Sequence, residues 1–383
     1  MAKSSTSLTT PLRDQLDRLS AFEPSADAPV LSLYLDAQAN QHGRDNYGPW
    51  LRKTFSDRAR TFNGEARKSF DRDVERISGF LADGVRPSAN GLIIFACSAR
   101  DLWEVAQLDA PLDDNWLFIG SVPHLYPLAR LSDQYPRYAA LLADTNSARL
   151  FVFSLGAAER GEEVRNVKTK KTSTGGWSQA RYQRHTANFH QQHIKEVVDV
   201  LERIVRDESI NHIVISCDEV TRPLLMAELP PHLADKVVDT VRLDTHAPEG
   251  EVLSATLDAL RGHDATTDAE RVEALITAWR SNGLGVAGPE DTMQALEMGQ
   301  VDELLITATP SGLRRAASMP ASVAPGPIEI DSSAATAADS ELLKLADDLV
   351  TKAHQSAARV RFIEDPQLLA SIGGVGAFLR FRV

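Results

Sequence analysis

The chain has 383 residues, too many for one ordinary core, so two or three domains are expected. Hydrophobic residues at 43% and charged residues at 25% describe a globular protein, and the net charge of −12 excludes wholesale coating of nucleic acid while leaving room for local contacts. No apolar run approaches the roughly 20 residues of a membrane span. The Ser/Thr-rich start, 1–8, has no apolar signal core, so a cytoplasmic location is expected. Cys97 and Cys217, each alone in an apolar strand-like context, suit a reducing compartment and make neither a disulfide framework nor a metal knuckle.

In chain order, 12–22 reads as a short helix followed by a polar linker, and 30–35 alternates as a strand does. The charged stretch 50–81 carries apolar residues every three or four positions, which predicts one long surface helix. The continuous apolar run 92–97 is a buried strand, with 102–108 as its partner. The segment 116–128, apolar and punctuated by proline, is the exit from the first domain. Strands follow at 139–144 and 149–153 around a tight Thr145-Asn146-Ser147 turn, and 163–167 is a third. Next come a long amphipathic helix from about Ala180, a strand at 213–217, a helix at 219–229 and a strand at 237–243. That order describes an α/β layer with a mixed sheet. The helical stretch 250–279 breaks at Gly262-His263-Asp264. After Gly285, a helix opens on Pro289-Glu290-Asp291, with acids at the positive end of its dipole. Gly299 stands at its C′ position. A strand at 301–308, a mobile Ser/Ala/Pro-rich loop at 309–338, a helix at 340–358, and strands at 360–363 and 378–383 complete a second small α/β sandwich.

One stretch stands out against the acidic whole. Between Arg165 and Arg184 lie Arg165, Lys168, Lys170, Lys171, Arg181 and Arg184, with no acidic residue among them. Lys168 to Thr174 is basic and hydroxyl-rich, Gly175-Gly176 frees the backbone, and the long helix follows. A cationic, glycine-tipped loop on a stiff helix points to a polyanion at that place.

Three blocks resemble the archaeal and eukaryotic release factor and Pelota family. They are Ala89-Asn90-Gly91-Leu92-Ile93-Ile94-Phe95, the loop Gly175-Gly176-Trp177-Ser178-Gln179-Ala180-Arg181-Tyr182-Gln183-Arg184, and Glu290-Asp291-Thr292-Met293-Gln294-Ala295-Leu296-Glu297-Met298-Gly299-Gln300-Val301-Asp302. The first is similar to a family strand written P-N-G-L-V-V-Y, the second to the G-G-Q loop, and the third, the most specific, to E-D-T-x-x-A-L-E-M-G-A-V. The resemblance extends to the bacterial branch and the Vms1-like peptidyl-tRNA hydrolases. It implies an α/β protein of three domains. An N-terminal α+β domain, 1–135, would face the small ribosomal subunit. A ribonuclease H-like domain with a mixed sheet, 136–265, would carry the Gly-Gly loop to the peptidyl-transferase centre. A C-terminal α/β/α sandwich of the ribosomal-protein (kink-turn-binding) type, 266–383, would bind partners. The implied partners are the ribosome, through rRNA at the A site, and peptidyl-tRNA, with a translational GTPase for delivery. The implied protein acts as a monomer, off the membrane, with no cofactor and no metal.

Trp177 stands where the release factors have glutamine, and Gln179 follows at a G-x-x-Q spacing closer to the Vms1-like hydrolases. No stop-codon-reading motif is found, so codon-independent rescue is the expected role. Gly175, Gly176 and Gln179 are the candidate catalytic residues for ester hydrolysis. Lys168, Lys170, Lys171, Arg181 and Arg184 are candidates for phosphate contact, with Trp177 and Tyr182 for base stacking. The alternative is a non-catalytic hibernation or stress factor that blocks the A site, with Trp177 as a wedge. A nuclease-like reading would need clustered carboxylates, and only Asp144 and Asp218 lie at strand ends. His185, His190 and His193 read as a solvated helix face and not as a zinc cluster. Arg52, Lys53, Arg58, Arg60, Arg67 and Lys68 read as an ordinary charged helix surface, and Gly373-Gly374-Val375-Gly376 as a turn.

Overall fold

A computed structural model describes residues 12–24, 28–38, 47–108, 110–112, 114–154, 157–165, 179–313, 329–332 and 337–382. The fold is mixed α/β, with three sheets among the described residues. The chain forms two compact units: Met1–Gln134 together with Asp268–Val383, and Tyr135–Thr267.

The N-terminal segment runs α1 (Leu12–Ser20), β1 (Val30–Asp36), α2 (Gly48–Arg58), α3 (Gly64–Asp83), β2 (Gly91–Cys97), β3 (Leu102–Leu108), β4 (Trp116–Gly120) and α4 (Tyr126–Gln134). β1 is central and antiparallel to both neighbours, with Leu33 opposite Ile94 of β2 and Leu117 of β4. Its odd-numbered leucines, with Leu92, Ile94 and Leu117, meet Leu51, Phe55, Phe70 and Ile77 of α2 and α3. Its other face is buried too: Tyr34 is 1% exposed and sits edge-on to Phe95 and Phe118.

Two sequence expectations are corrected here. The single helix at 50–81 is two helices, because Asn63 is extended and Gly64 takes φ +60. Glycine bears that left-handed angle without the Cβ cost that any other residue would meet. The exit at 116–128 is instead strand β4, an inner member of the sheet, followed by α4.

The middle unit contains β5 (Tyr138–Ala143), β6 (Ser147–Ser154), β7 (Ala157–Arg165), α5 (Gln179–Asp207), β8 (His212–Cys217), α6 (Thr221–Glu228), α7 (Pro231–Ala234), β9 (Val237–Val241) and the front of α8 (Glu249–Arg280). Its sheet order is β7-β6-β5-β8-β9. The β5–β6–β7 meander is antiparallel, whereas β8 and β9 join parallel to β5. One face packs under α5 and the other under α8, through Val252 and Leu260. The expected break at Gly262 is absent and α8 is continuous. One glycine costs a helix about 1 kcal/mol against alanine, less than burial of Val252, Leu260, Val272 and Leu275 returns.

The C-terminal segment holds β10 (Gly285–Ala287), α9 (Pro289–Glu297), β11 (Val301–Thr307), β12 (Glu329–Ser332), α10 (Ala337–Gln355), β13 (Arg359–Ile363), α11 (Pro366–Leu369) and β14 (Val375–Leu379). Its sheet order is β10-β14-β11-β13, parallel only between β11 and β13. Gly374 takes φ +86, and a Cβ there would lie 2.4 Å from the Gly312 carbonyl oxygen, so the turn admits no side chain. The loop expected at 309–338 contains β12, which leaves this sheet and pairs antiparallel with β4. Residues 314–328 and 333–336 of that loop lie outside the described residues.

Among the described residues no helix is long and apolar enough to cross a membrane. Nor does any group of three or more His, Cys, Asp or Glu among them have a metal-holding arrangement.

Candidate functional site

The Gly-Gly loop joins β7 to α5. Residues 166–178, and with them Lys168, Lys170, Lys171, Gly175, Gly176 and Trp177, lie outside the described residues. What is described is the frame on either side. β7 ends at Arg165, opposite Ser147 of β6. α5 begins at Gln179, so positions Gln179, Arg181, Tyr182 and Arg184 occupy its first two turns.

The helix forms for a local reason. From Ile194 on, Val197, Val198, Leu201, Ile204 and Val205 recur at three- and four-residue spacing and are all buried. They rest on Ala139, Leu141, Leu150, Val152, Ile213 and Ile215 of the sheet. Six such side chains, at roughly 1.5–3 kcal/mol each, root this end of the helix firmly. Polar contacts steady it from the side: Arg203 donates to Glu162 at 2.7 Å and Gln191 to Glu228 at 2.9 Å. At about 1.5 Å of rise per residue, Gln179 stands about 20 Å along the axis from the first buried turn. The arrangement is a stalk, a helix anchored toward its C-terminal end with its N-terminal end at Gln179.

The point where α5 enters the core carries a compact polar staple. Asp144 follows β5 and accepts from Asn146 N at 2.7 Å, Ser147 N and Oγ at 2.8 Å, and Thr245 Oγ1 at 2.9 Å. Burial works to raise the Asp144 carboxyl, but those donors outweigh it and hold it below the usual carboxylate range. Asp144 therefore closes the β5–β6 turn. Asp218 accepts from Thr221 N at 2.6 Å at the start of α6. The two aspartates serve turn and helix start, which leaves the nuclease-like reading without support in the described residues.

His193 corrects the sequence reading of its helix face. It is fully buried, and neither ring nitrogen has a well-formed hydrogen bond. Burial pushes its pKa down, with His190 adding to this. The Ser147 backbone and the charges of Asp144 and Glu196 oppose the shift. Its i−1 and i−4 spacing from Ile194 and Val197 places it on the apolar stripe, a signal that the sequence did contain. On α3, Arg67 pairs with Asp71 at 2.8 Å and Lys68 with Glu65 at 2.7 Å, and Arg60, just past α2, pairs with Asp57 at 3.7 Å, all exposed. That is the ordinary charged surface expected.

Comparison with known proteins places these parts in context. Residues 123–261 match the model for bacterial archaeo-eukaryotic release factor family 10, and residues 266–383 match eRF1 domain 3. Peptide chain release factor subunit 1 of Thermococcus kodakarensis is 20% identical over 409 residues, which cover 97% of each chain. Among solved structures, an archaeal translation termination factor, aRF1, is 16% identical over 97% of each chain, with a TM-score of 0.26. An archaeal Pelota, in a model of ribosome-bound Pelota and ABCE1, is 14% identical over 97% of this chain and 94% of its own, with a TM-score of 0.44.

Proposed function

We propose that the chain, a member of a release factor/Pelota-like family, is a translation factor that enters the ribosomal A site and hydrolyses the peptidyl-tRNA ester, independently of the codon, in ribosome rescue. The observation that carries this reading is the stalk. α5 starts at Gln179, directly after the basic Gly-Gly loop, and is rooted in its own sheet from Ile194 onward. In this reading the N-terminal segment faces the small subunit, the middle unit reaches the peptidyl-transferase centre, and residues 266–383 receive a translational GTPase. The protein acts as a monomer without cofactor.

The chemistry asked of the loop is modest. Ester hydrolysis needs a positioned water and a donor for the developing oxyanion. A glutamine amide or a backbone N–H serves as that donor, worth about 3–4 kcal/mol. Orienting the water in a dry site contributes further. Gly175 and Gly176 let the backbone approach the terminal adenosine, with Gln179 aimed at the ester. Lys168, Lys170, Lys171, Arg181 and Arg184 hold phosphates, while Trp177 or Tyr182 stacks on a base.

The test pairs ribosome pelleting with release of labelled peptide from stalled ribosomes. Wild type is expected to pellet and release. Gln179→Ala should release about 100-fold or more slowly, and a Gly176→Ala/Gln179→Ala double variant should be inactive while still pelleting. Unchanged release in Gln179→Ala removes that residue from the mechanism. Pelleting with no release by wild type favours the A-site occupant with Trp177 as wedge. A wild type that ignores ribosomes overturns the reading.

A further inference from the structure

The N- and C-terminal segments share one unit, although the whole middle unit separates them in sequence. What joins them is more than two surfaces in contact. The first joint is a strand. β12, from the C-terminal segment, forms the edge of the N-terminal sheet in the register Glu329–Ile119, Ile330–Phe118, Asp331–Leu117 and Ser332–Trp116. A ladder of backbone hydrogen bonds does not slide, because a one-residue slip turns every side chain to the opposite face.

The second joint is a buried charge. Asp347 of α10 is 2% exposed, and its Oδ1 accepts from Leu125 N at 2.6 Å and Tyr126 N at 3.0 Å. Those are the leading N–H groups of α4, where the helix dipole favours an anion. The residues just before α4 are Pro123, His124 and Leu125, and none offers a hydroxyl or carboxylate for the cap. The cap therefore comes from 222 positions away. Oδ2 of Asp347 lies 3.1 Å from His124 Nδ1, off the line of an ideal hydrogen bond. His124 is pinned to the N-terminal sheet: its N–H donates to Ser32 Oγ at 2.9 Å, its carbonyl accepts from Tyr34 Oη at 2.6 Å, and its ring stacks on Phe118. The far end of α4 is held the same way, where Asp133 accepts from Phe362 N of β13 at 2.9 Å.

We propose that residues 12–134 and 268–382 are a single folding and mechanical unit, locked by the β12 strand and by Asp347 acting as a positioning residue on α4. The lock is intramolecular and independent of any ribosomal role. Breaking it would strand two buried N–H groups and a buried carboxylate, and would bare the β4 edge.

Native-state hydrogen–deuterium exchange on the full chain, read by mass spectrometry across a denaturant series, tests this. In wild type, β1, β2 and β4 should share one opening free energy with β11, β13 and β14. Asp347→Ala should speed exchange roughly tenfold or more in Leu125, Tyr126 and β4, and equally in β11 and β13. Asp347→Asn, which keeps an acceptor, should recover part of that loss. If Asp347→Ala does not fold, Ile330→Pro, which breaks the other joint, should speed exchange in both segments alike, and the wild-type series is read in either case. Separate opening free energies for the two segments in wild type, or a change confined to the first turn of α4, overturn the proposal.

Discussion

The two helices α5 and α4 are held in place by opposite means. α5 carries its own anchor: a run of buried apolar residues at helical spacing meets a sheet built largely from nearby sequence. α4 has nine residues and depends for its first turn on a carboxylate from a distant helix. The first kind of element is secured by many small, redundant contacts. The second is secured by a few polar ones that cannot be lost singly without leaving a buried group unpaired. Loss at the α5 root should therefore grade with the size of the cavity, while loss at the α4 cap should depend on chemistry at nearly constant volume.

The largest effect expected is at the α5 root. Leu201→Ala, at a fully buried position, should cost about 2–5 kcal/mol by chemical denaturation and lower the middle unit's calorimetric transition. A shift of the other unit by the same amount would erase the distinction. Asp347→Ala comes next, at about 2 kcal/mol, and should act on the unit that contains α4. Asp347→Leu tests the comparison more sharply: similar volume should not rescue it, because the two N–H groups still lack an acceptor.

His193 makes the α5 root sensitive to acid. Its folded pKa is depressed by burial below the ordinary 6.5, so the native state holds it neutral while the unfolded chain takes up a proton. Its contribution to stability is therefore complete above about pH 6.5 and is lost as pH falls through the folded value, with a slope of at most about 1.4 kcal/mol per pH unit. Comparing the middle unit's transition at pH 7.5 and 5.5 should show this loss in wild type and a smaller one in His193→Gln. Equal losses in both would place the acid response elsewhere.

The smallest effect concerns α8. Nothing lies within 4 Å of a Cβ placed on Gly262, which sits in continuous helix. Gly262→Ala should stabilise by about 0.5–1 kcal/mol, visible as a small rise in Tm. A destabilisation would mean that the helix bends there in solution.

Much of the fold was legible in the sequence, and the misses share a cause. β2, β6 and β8 were readable from runs of branched and aromatic residues, β3 from its alternation, β5 and β11 from apolar runs, and α9 from its proline, its acids and Gly299, which indeed takes φ +67. The division before Gly64 was missed because the apolar spacing continues on both sides of the five residues, 59–63, that separate α2 from α3. β12 was missed because Glu-Ile-Asp-Ser is too short to display a period, and its partner lies some two hundred residues away. His193 was read as solvated by residue type, against its own position on the apolar stripe. At the candidate site, the loop's charge and glycines and the start of α5 could be read directly. The Asp144 staple could not, because Thr245 reaches it from a hundred residues on.

What the amino-acid sequence determined alone is whatever repeats within a turn or a pleat: which segments are helix or strand, which stripe of α5 is apolar, and that a cationic glycine loop precedes it. Tertiary structure decided which distant groups meet: β12 on β4, Asp347 on α4, and the union of the two chain ends in one unit. The physical reason is range. Periods of 3.6 and 2 residues are properties of a short window, whereas a strand edge or an uncapped helix end specifies only that a partner is needed, and the folded chain supplies it.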